Sequence, residues 1–230
     1  MTHDSENPQQ MVPQESMEEK RTRVLLALKT GTTFGGAVWE KITALGVMRE
    51  EDIEIDEGGW IGETRVGVDD ALIRTIHLGI QDIPADLAER IIFENELFSD
   101  EQRLTYRLSH ELCHVVGSTM ERSQPDFARF FAAVEFMRKN GQALSALGNL
   151  AIYKNAGSVA EATEDVVELM NMYVTDPEYL GRYLAFLVDP NLQARRDVLG
   201  LHTIQNAKVA ETIFAIIKRG VDGFLGTKKM

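Results

Sequence analysis

The sequence predicts an α+β fold in which a small sheet comes first and a mostly helical part follows. A helix candidate at residues 37–45 is followed by three β-prone stretches, at residues 53–55, 65–68 and 74–80. From residue 81 onward, apolar residues recur at the three- and four-residue spacing of helices that bury one face. We therefore expect an α/β lobe over about residues 21–120 and a helical lobe over about residues 121–230.

The helical part divides into segments separated by turn residues. The predicted helices cover residues 85–93, 100–116, 126–139, 143–154, 159–174, 177–187 and 206–219. The second of these has the clearest boundaries, because Ser99 and Gln102 form a capping-box pattern before it. Gly117 follows it and predicts a left-handed stop at its C-terminal end.

Composition indicates one domain with a polar tail. The chain has 230 residues, of which 44% are hydrophobic, and this is enough for a single domain with a sizeable core. Residues 1–20 are rich in Gln, Glu, Ser and Pro and contain no aromatic residue. We expect them to form a disordered tail, because they cannot bury enough apolar surface to offset the entropy of ordering. The domain is then expected over residues 21–230.

Charge and cysteine content bear on compartment and partners. The net charge of −12 argues against nonspecific nucleic-acid binding, which needs a basic surface. No apolar stretch reaches bilayer-spanning length and no signal-peptide pattern is present, so we expect no membrane partner. The single cysteine, Cys113, excludes an intramolecular disulfide and is compatible with a reducing cytoplasm. We therefore expect a cytoplasmic protein, with an oligomeric state that the sequence leaves open.

One motif carries chemistry: residues 110–114 read His-Glu-Leu-Cys-His, an HExxH sequence. On a helix, His110 and His114 lie one turn apart and about 40° apart around the axis, so both imidazoles can reach one Zn²⁺. Glu111 lies beside them, where a carboxylate can act as a general base. Cys113 points about 100° away from His114, and we expect it to be a small buried residue rather than a ligand.

A catalytic zinc needs a third protein ligand. The metzincin pattern HExxHxxGxxH would place a histidine at position 120, where this chain has Met120, a poor zinc ligand beside imidazole. That pattern is therefore excluded. Farther along the chain, Glu161 and Asp165 form an ExxxD pair on the predicted helix 159–174. Glu164 and Glu168 have the same spacing in a shifted register.

The HExxH motif and the downstream ExxxD pair together resemble the gluzincin group of zincin metallopeptidases. This resemblance covers the two motifs and their helices rather than the whole chain. It implies a zincin-like fold and one Zn²⁺ held by His110, His114 and Glu161. It also implies that Asp165 accepts the other ring N–H of a histidine ligand, which would fix the orientation of that ring.

Two alternatives to the Glu161 assignment stay open. Ser158 and Glu161 have the spacing of a capping box, so the carboxylate could instead satisfy a backbone N–H at the start of a helix. A register shift would make Glu164 the metal ligand and Glu168 the acid behind a histidine.

The resemblance implies a zinc-dependent metallopeptidase that hydrolyses peptide bonds of a peptide or protein substrate, with Glu111 as general base and acid. Gluzincins often place a His or Tyr near the developing oxyanion. His202 is the first candidate here, and the others are Tyr153, Tyr173 and Tyr183. The strand at 74–80 is expected to border the cleft and pair with extended substrate. The alternatives are a non-catalytic zincin-like scaffold for regulation or protein binding, and a scaffold without metal.

Overall fold

The structure is a computed structural model that describes residues 15–56, 62–66, 74–79 and 100–226. These residues are mostly helical and include one small sheet, so the chain belongs to the α+β class, as predicted. The predicted helix at 85–93 and the capping residue Ser99 lie outside the described residues, as do residues 1–14 of the expected tail.

Two helices come first, α1 (Met17–Gly31) and α2 (Gly35–Ala44). Ser16 caps α1: its hydroxyl accepts the N–H of Glu19 at 3.2 Å, and the Glu19 carboxylate accepts the N–H of Ser16 at 2.8 Å. Residues 17–20 are therefore helical, which corrects the expected tail boundary at residue 20. Sequence composition missed this because the polar cap precedes the first buried residue, Val24.

A 3₁₀ turn (Glu50–Asp52) leads into the sheet. Its strands are β1 (Ile53–Asp56), β2 (Gly62–Val66) and β3 (Arg74–Gly79). They lie in the order β1-β3-β2, with β1 parallel and β2 antiparallel to β3. The period-two pattern buries four apolar side chains against the helices, those of Ile53, Ile55, Ile76 and Leu78.

The position of β3 corrects one expectation. This strand has a hydrogen-bonded neighbour on both sides, so its backbone N–H and C=O groups are already paired. A substrate strand can add only to an unpaired sheet edge. The stretch at 74–80 therefore cannot be the strand that pairs with extended substrate.

The rest of the described chain is helical. Its helices are α3 (Asp100–Ser123), α4 (Pro125–Lys139), α5 (Ala151–Ala156), α6 (Ser158–Thr175), α7 (Pro177–Val188), α8 (Gln193–Leu199) and α9 (Ala207–Leu225). Two short 3₁₀ turns, Leu147–Asn149 and Pro190–Leu192, lie between them. The prediction of one continuous helix at 143–154 is wrong. The N–H groups of Leu144 and Ser145 bind the carboxylate of Asp165, so this backbone does not enter a helix.

Helix α3 occupies the centre of the fold. It packs against α1, α2 and the sheet and also against α4, α6 and α9, so it joins the two predicted lobes through one continuous core. Leu104, Leu108 and Leu112 are buried, as predicted, but the polar residues Thr105 and Ser109 are buried as well. A helix buried on nearly all sides is expected at the middle of a domain, not along its surface.

Gly117 does not end α3, which continues to Ser123. A Cβ atom at Gly117 would lie 3.0 Å from Cε of Met170 on α6. This glycine therefore marks the close approach of two packed helices rather than a helix stop. No helix in the described part of the chain combines the length and apolar character needed to cross a membrane.

Candidate metal centre

Three neighbouring side chains on α3 have converging ligand atoms. One nitrogen each from His110 and His114 and one carboxylate oxygen from Glu111 lie within 4.8 Å of one another. The two imidazole rings meet edge to face, with centroids 5.1 Å apart. This is the arrangement expected when HExxH lies on a helix, because the histidines are one turn apart.

Helix α6 brings a carboxylate to both histidines. Oε2 of Glu164 lies 3.2 Å from Nε2 of His110, and Oε1 lies 3.5 Å from Nε2 of His114. The Glu164 side chain is only 5% exposed, so it is held against the rings by the packing of α3 on α6. One carboxylate therefore lies against both imidazoles of the motif.

These separations suit a tetrahedral zinc ion. With Zn–N and Zn–O bonds of roughly 2.0–2.2 Å, two ligand atoms on a tetrahedral ion lie about 3.4 Å apart. The two nitrogen–oxygen distances, 3.2 Å from Oε2 to His110 and 3.5 Å from Oε1 to His114, are close to this value, each with a different oxygen of the carboxylate. Two histidines and one carboxylate also form a ligand set that zinc accepts, with a fourth position left for water. The chemistry of these residues therefore fits a zinc ion.

A second carboxylate of α6 lies behind His110. Oε2 of Glu168 is 3.0 Å from Nδ1 of His110, on the side of the ring away from Glu164. Oε1 of Glu168 accepts a hydrogen bond of 2.7 Å from the hydroxyl of Tyr106. A carboxylate that accepts the second ring N–H of a ligating histidine fixes its tautomer and orientation.

Opposite charges in this cluster shift the pKa values of its histidine and glutamate side chains. Burial acts to lower the pKa of His110, but hydrogen bonds to Glu164 and Glu168 raise that pKa well above its ordinary value. Burial acts to raise the pKa of Glu164, but the hydrogen bond from His110 and the charge of His114 bring that pKa below its ordinary value. The positive charge of a protonated histidine and the negative charges of the carboxylates stabilise one another, and a zinc ion held by these residues would also supply positive charge.

Asp165 has a different partner from the one predicted. Its carboxylate accepts hydrogen bonds from the guanidinium of Arg138 on α4 and from the N–H groups of Leu144 and Ser145. Burial raises the pKa of Asp165, and the hydrogen bonds from Arg138 oppose that shift. The expectation that Asp165 orients a metal-binding histidine is corrected here, because Glu168 holds that position.

The first turn of α6 contains Glu161, the predicted metal ligand. Gly157, with φ of 94° and ψ of 175°, precedes the helix in a conformation that is essentially restricted to glycine. Ser158 is the first helical residue rather than the N-cap, and the N–H of Glu161 donates to the carbonyl of Gly157 at 3.2 Å, so the alternative capping box of Ser158 with Glu161 is not formed. Glu161 is half-buried in this first turn, and Glu164, one turn farther on, is the residue placed against the histidines.

The predicted oxyanion candidates have other surroundings. His202 lies between α8 and α9, where its backbone N–H donates to the carbonyl of Ala143 at 2.8 Å. The hydroxyl of Tyr183 donates to the carbonyl of Leu144 at 2.6 Å. The hydroxyl of Tyr173 lies 3.3 Å from a carboxylate oxygen of Asp222 on α9. None of these hydrogen bonds involves a residue of the metal cluster. Burial raises the pKa of Tyr183 well above its ordinary value, and the nearby charges of Asp165 and Glu168 raise it further. The half-exposed Tyr153 lies on α5.

Cys113 is fully buried and free, which agrees with its interpretation as a small core residue. Burial raises the pKa of its thiol far above the ordinary value, so it stays protonated beside the acidic side chains. A metal ligand would have to be the thiolate.

Sequence reasoning missed two residues that support the site, Tyr106 and Arg138. Tyr106 precedes His110 by four residues, as Glu164 precedes Glu168, and both pairs therefore lie on single helix faces. This shared four-residue spacing is the feature of the sequence that could have identified Tyr106 as a partner of Glu168. Arg138 carried no such signal, because its partner Asp165 is distant in sequence and on another helix.

Comparisons with known proteins add no family assignment. No family model, no curated protein and no solved structure matches this chain. The similarity to gluzincins consequently stays a prediction from the two motifs.

Proposed function

We propose that this protein is a zinc-dependent metallopeptidase of gluzincin type with a zincin-like fold, in which His110, His114 and Glu164 hold the metal. The observation that carries the proposal is the position of Glu164, whose oxygens lie 3.2 and 3.5 Å from the two histidines of the HExxH motif. Contact between a downstream helical glutamate and both histidines is what a gluzincin ligand set requires. The shifted register, with Glu168 behind His110, supplies the acid that completes it.

Each side chain of the site has a separate proposed role. His110, His114 and Glu164 would hold Zn²⁺, which when bound would supply a Lewis acid for the substrate carbonyl and lower the pKa of a water molecule toward neutrality. Glu111 accepts a proton from the attacking water and passes it to the leaving amine. Glu168 keeps Nδ1 of His110 protonated, so that Nε2 stays available as a ligand. The His114 side chain is 21% exposed against 10% for His110, so we expect substrate to approach from the side of His114.

The remaining assignments are also proposals. The net charge of −12 favours a peptide or protein substrate of neutral or basic character over a nucleic acid. The single buried cysteine suits a cytoplasmic location.

The burial of Glu111, which is 4% exposed, favours a second candidate function. In this alternative the chain is a non-catalytic zincin-like scaffold, and the metal only ties α3 to α6. A closed structural zinc site would require a fourth protein ligand instead of water.

The proposal is tested by peptide hydrolysis. Zinc-loaded wild-type protein should cleave a mixed-sequence peptide library, with products identified by mass spectrometry. Glu111→Gln should bind zinc equally well and lose about 10²- to 10⁴-fold in rate, because the general base is gone. Glu121→Gln, an exposed position on the same helix, is the matched control and should retain full rate. Fully zinc-loaded wild type without cleavage would favour the scaffold, and equal cleavage by Glu111→Gln would contradict the assignment of Glu111 as general base.

A further inference from the structure

A row of hydrogen bonds between α3 and α6 extends beyond the proposed metal ligands. At one end of this row, the carboxylate of Glu164 contacts the rings of His110 and His114. One turn along, Glu168 lies between Nδ1 of His110 and the hydroxyl of Tyr106. Farther on, the side-chain amide of Asn171 donates to the backbone carbonyl of Tyr106 at 3.2 Å. The two helices are therefore joined by polar contacts over several consecutive turns.

The spacing of these residues makes the row continuous. Tyr106 and His110 are four residues apart on α3, and Glu164 and Glu168 are four residues apart on α6, so each pair lies on one face of its helix. Glu168 consequently faces both Tyr106 and His110. Each of its two oxygens has its own recorded hydrogen-bond partner.

Burial gives the hydroxyl of Tyr106 its importance. Tyr106 and Asn171 are buried, and the Glu168 side chain is only 9% exposed. A buried carboxylate that loses a hydrogen-bond donor cannot readily replace it with solvent and tends to turn toward another partner. If Oε1 of Glu168 turned, Oε2 would leave Nδ1 of His110.

We propose that Tyr106 is a positioning residue for the metal site. Its hydroxyl holds Glu168 so that Oε2 faces Nδ1 of His110, and this directs Nε2 of the same ring toward the metal position. The metal part of this proposal rests on the proposed function. The effect on the orientation of His110 does not, because the hydrogen bonds exist among the side chains themselves.

The first test measures zinc affinity by competition with a chromogenic chelator. Tyr106→Phe removes only the hydroxyl and leaves the ring packed near Tyr179, whose centroid lies 6.1 Å away. We expect roughly three- to tenfold weaker zinc binding. This is at most the lower end of the roughly 10- to 100-fold loss seen when a residue that hydrogen-bonds directly to a metal ligand is replaced. Tyr173→Phe is the control, because it removes a hydroxyl group of α6 that donates to Asp222 rather than to the cluster, and it should leave the zinc affinity unchanged.

A double-mutant cycle shows whether Tyr106 acts through Glu168. Glu168→Ala alone should weaken zinc binding by about 10- to 100-fold. Adding Tyr106→Phe to Glu168→Ala should then have no further effect, because the acceptor is gone. Equal effects of Tyr106→Phe with and without Glu168 would overturn the proposal, as would unchanged affinity in the single variant. A purely structural role would lower the melting temperature without this dependence.

A second readout needs no metal. In metal-free protein, the Nδ1–H signal of His110 in ¹H–¹⁵N spectra of the imidazoles should move and exchange faster with water in Tyr106→Phe, while Tyr173→Phe leaves it in place. An unchanged signal would overturn the proposal. If the wild type binds no zinc, the proposed function fails, and this measurement alone decides the role of Tyr106.

Discussion

Replacing Arg138 with methionine should destabilise the protein severely, because it breaks a buried ion pair from one side. Arg138 donates four hydrogen bonds, two of them to Asp165 and the others to Asn149 and the carbonyl of Ser145. The side chains of Arg138 and Asp165 are 3% and 0% exposed. Methionine preserves much of the side-chain volume, so the main change is an uncompensated carboxylate inside the protein.

The expected loss is about 3–5 kcal/mol of unfolding free energy, the usual result when one partner of a buried pair is removed. This is a large share of the roughly 5–15 kcal/mol that stabilises a typical domain. Arg129 provides the matched control on the same helix. Its Nη1 lies 3.4 Å from a carboxylate oxygen of Asp126, but the two side chains are 81% and 73% exposed. Arg129→Met should therefore change the free energy of unfolding by less than about 1 kcal/mol.

Urea denaturation followed by circular dichroism measures both variants against the wild type. The double variant Arg138→Met/Asp165→Asn removes both charges and keeps one acceptor oxygen for the N–H groups of Leu144 and Ser145, so it should recover only part of the loss. Similar stabilities of Arg138→Met and Arg129→Met would refute the reasoning.

Gly148→Ala should cost about 1–3 kcal/mol in a thermal melt, because its Cβ would overlap Nη2 of Arg138 and lie 2.8 Å from the carbonyl oxygen of Glu161. Gly181→Ala, in the open interior of α7, should instead gain up to about 1 kcal/mol, and equal effects at the two glycines would contradict this steric argument. Saturating zinc at about 1,000 times its dissociation constant should add about 4 kcal/mol, reversed by a chelator. A melting temperature independent of zinc would speak against a native metal site.

Helical periodicity predicted most of the described fold. The helices expected at 126–139, 159–174 and 177–187 appear within two residues of those bounds, because each buries an apolar face. The failure at 143–154 has a long-range cause, since Asp165 binds the backbone N–H groups there. A local pattern cannot show such a contact.

The candidate site was only partly predictable for a related reason. HExxH is a local pattern, so His110, Glu111 and His114 could be identified without the fold. Helix α6 is buried on nearly all sides from Ala162 to Val174, so its hydrophobic pattern does not select one acidic face. Packing against α3 and the ion pair with Arg138 set the register.

The central claim is that the histidines of α3 and Glu164 of α6 hold one zinc ion. Elemental analysis of purified, zinc-reconstituted protein tests it most directly, with Glu164→Ala and Glu161→Ala measured beside the wild type. We predict one zinc per chain in the wild type and in Glu161→Ala, and little or none in folded Glu164→Ala. Zinc lost from Glu161→Ala but kept by Glu164→Ala would contradict the ligand assignment, and a wild type without zinc would contradict the metal site itself.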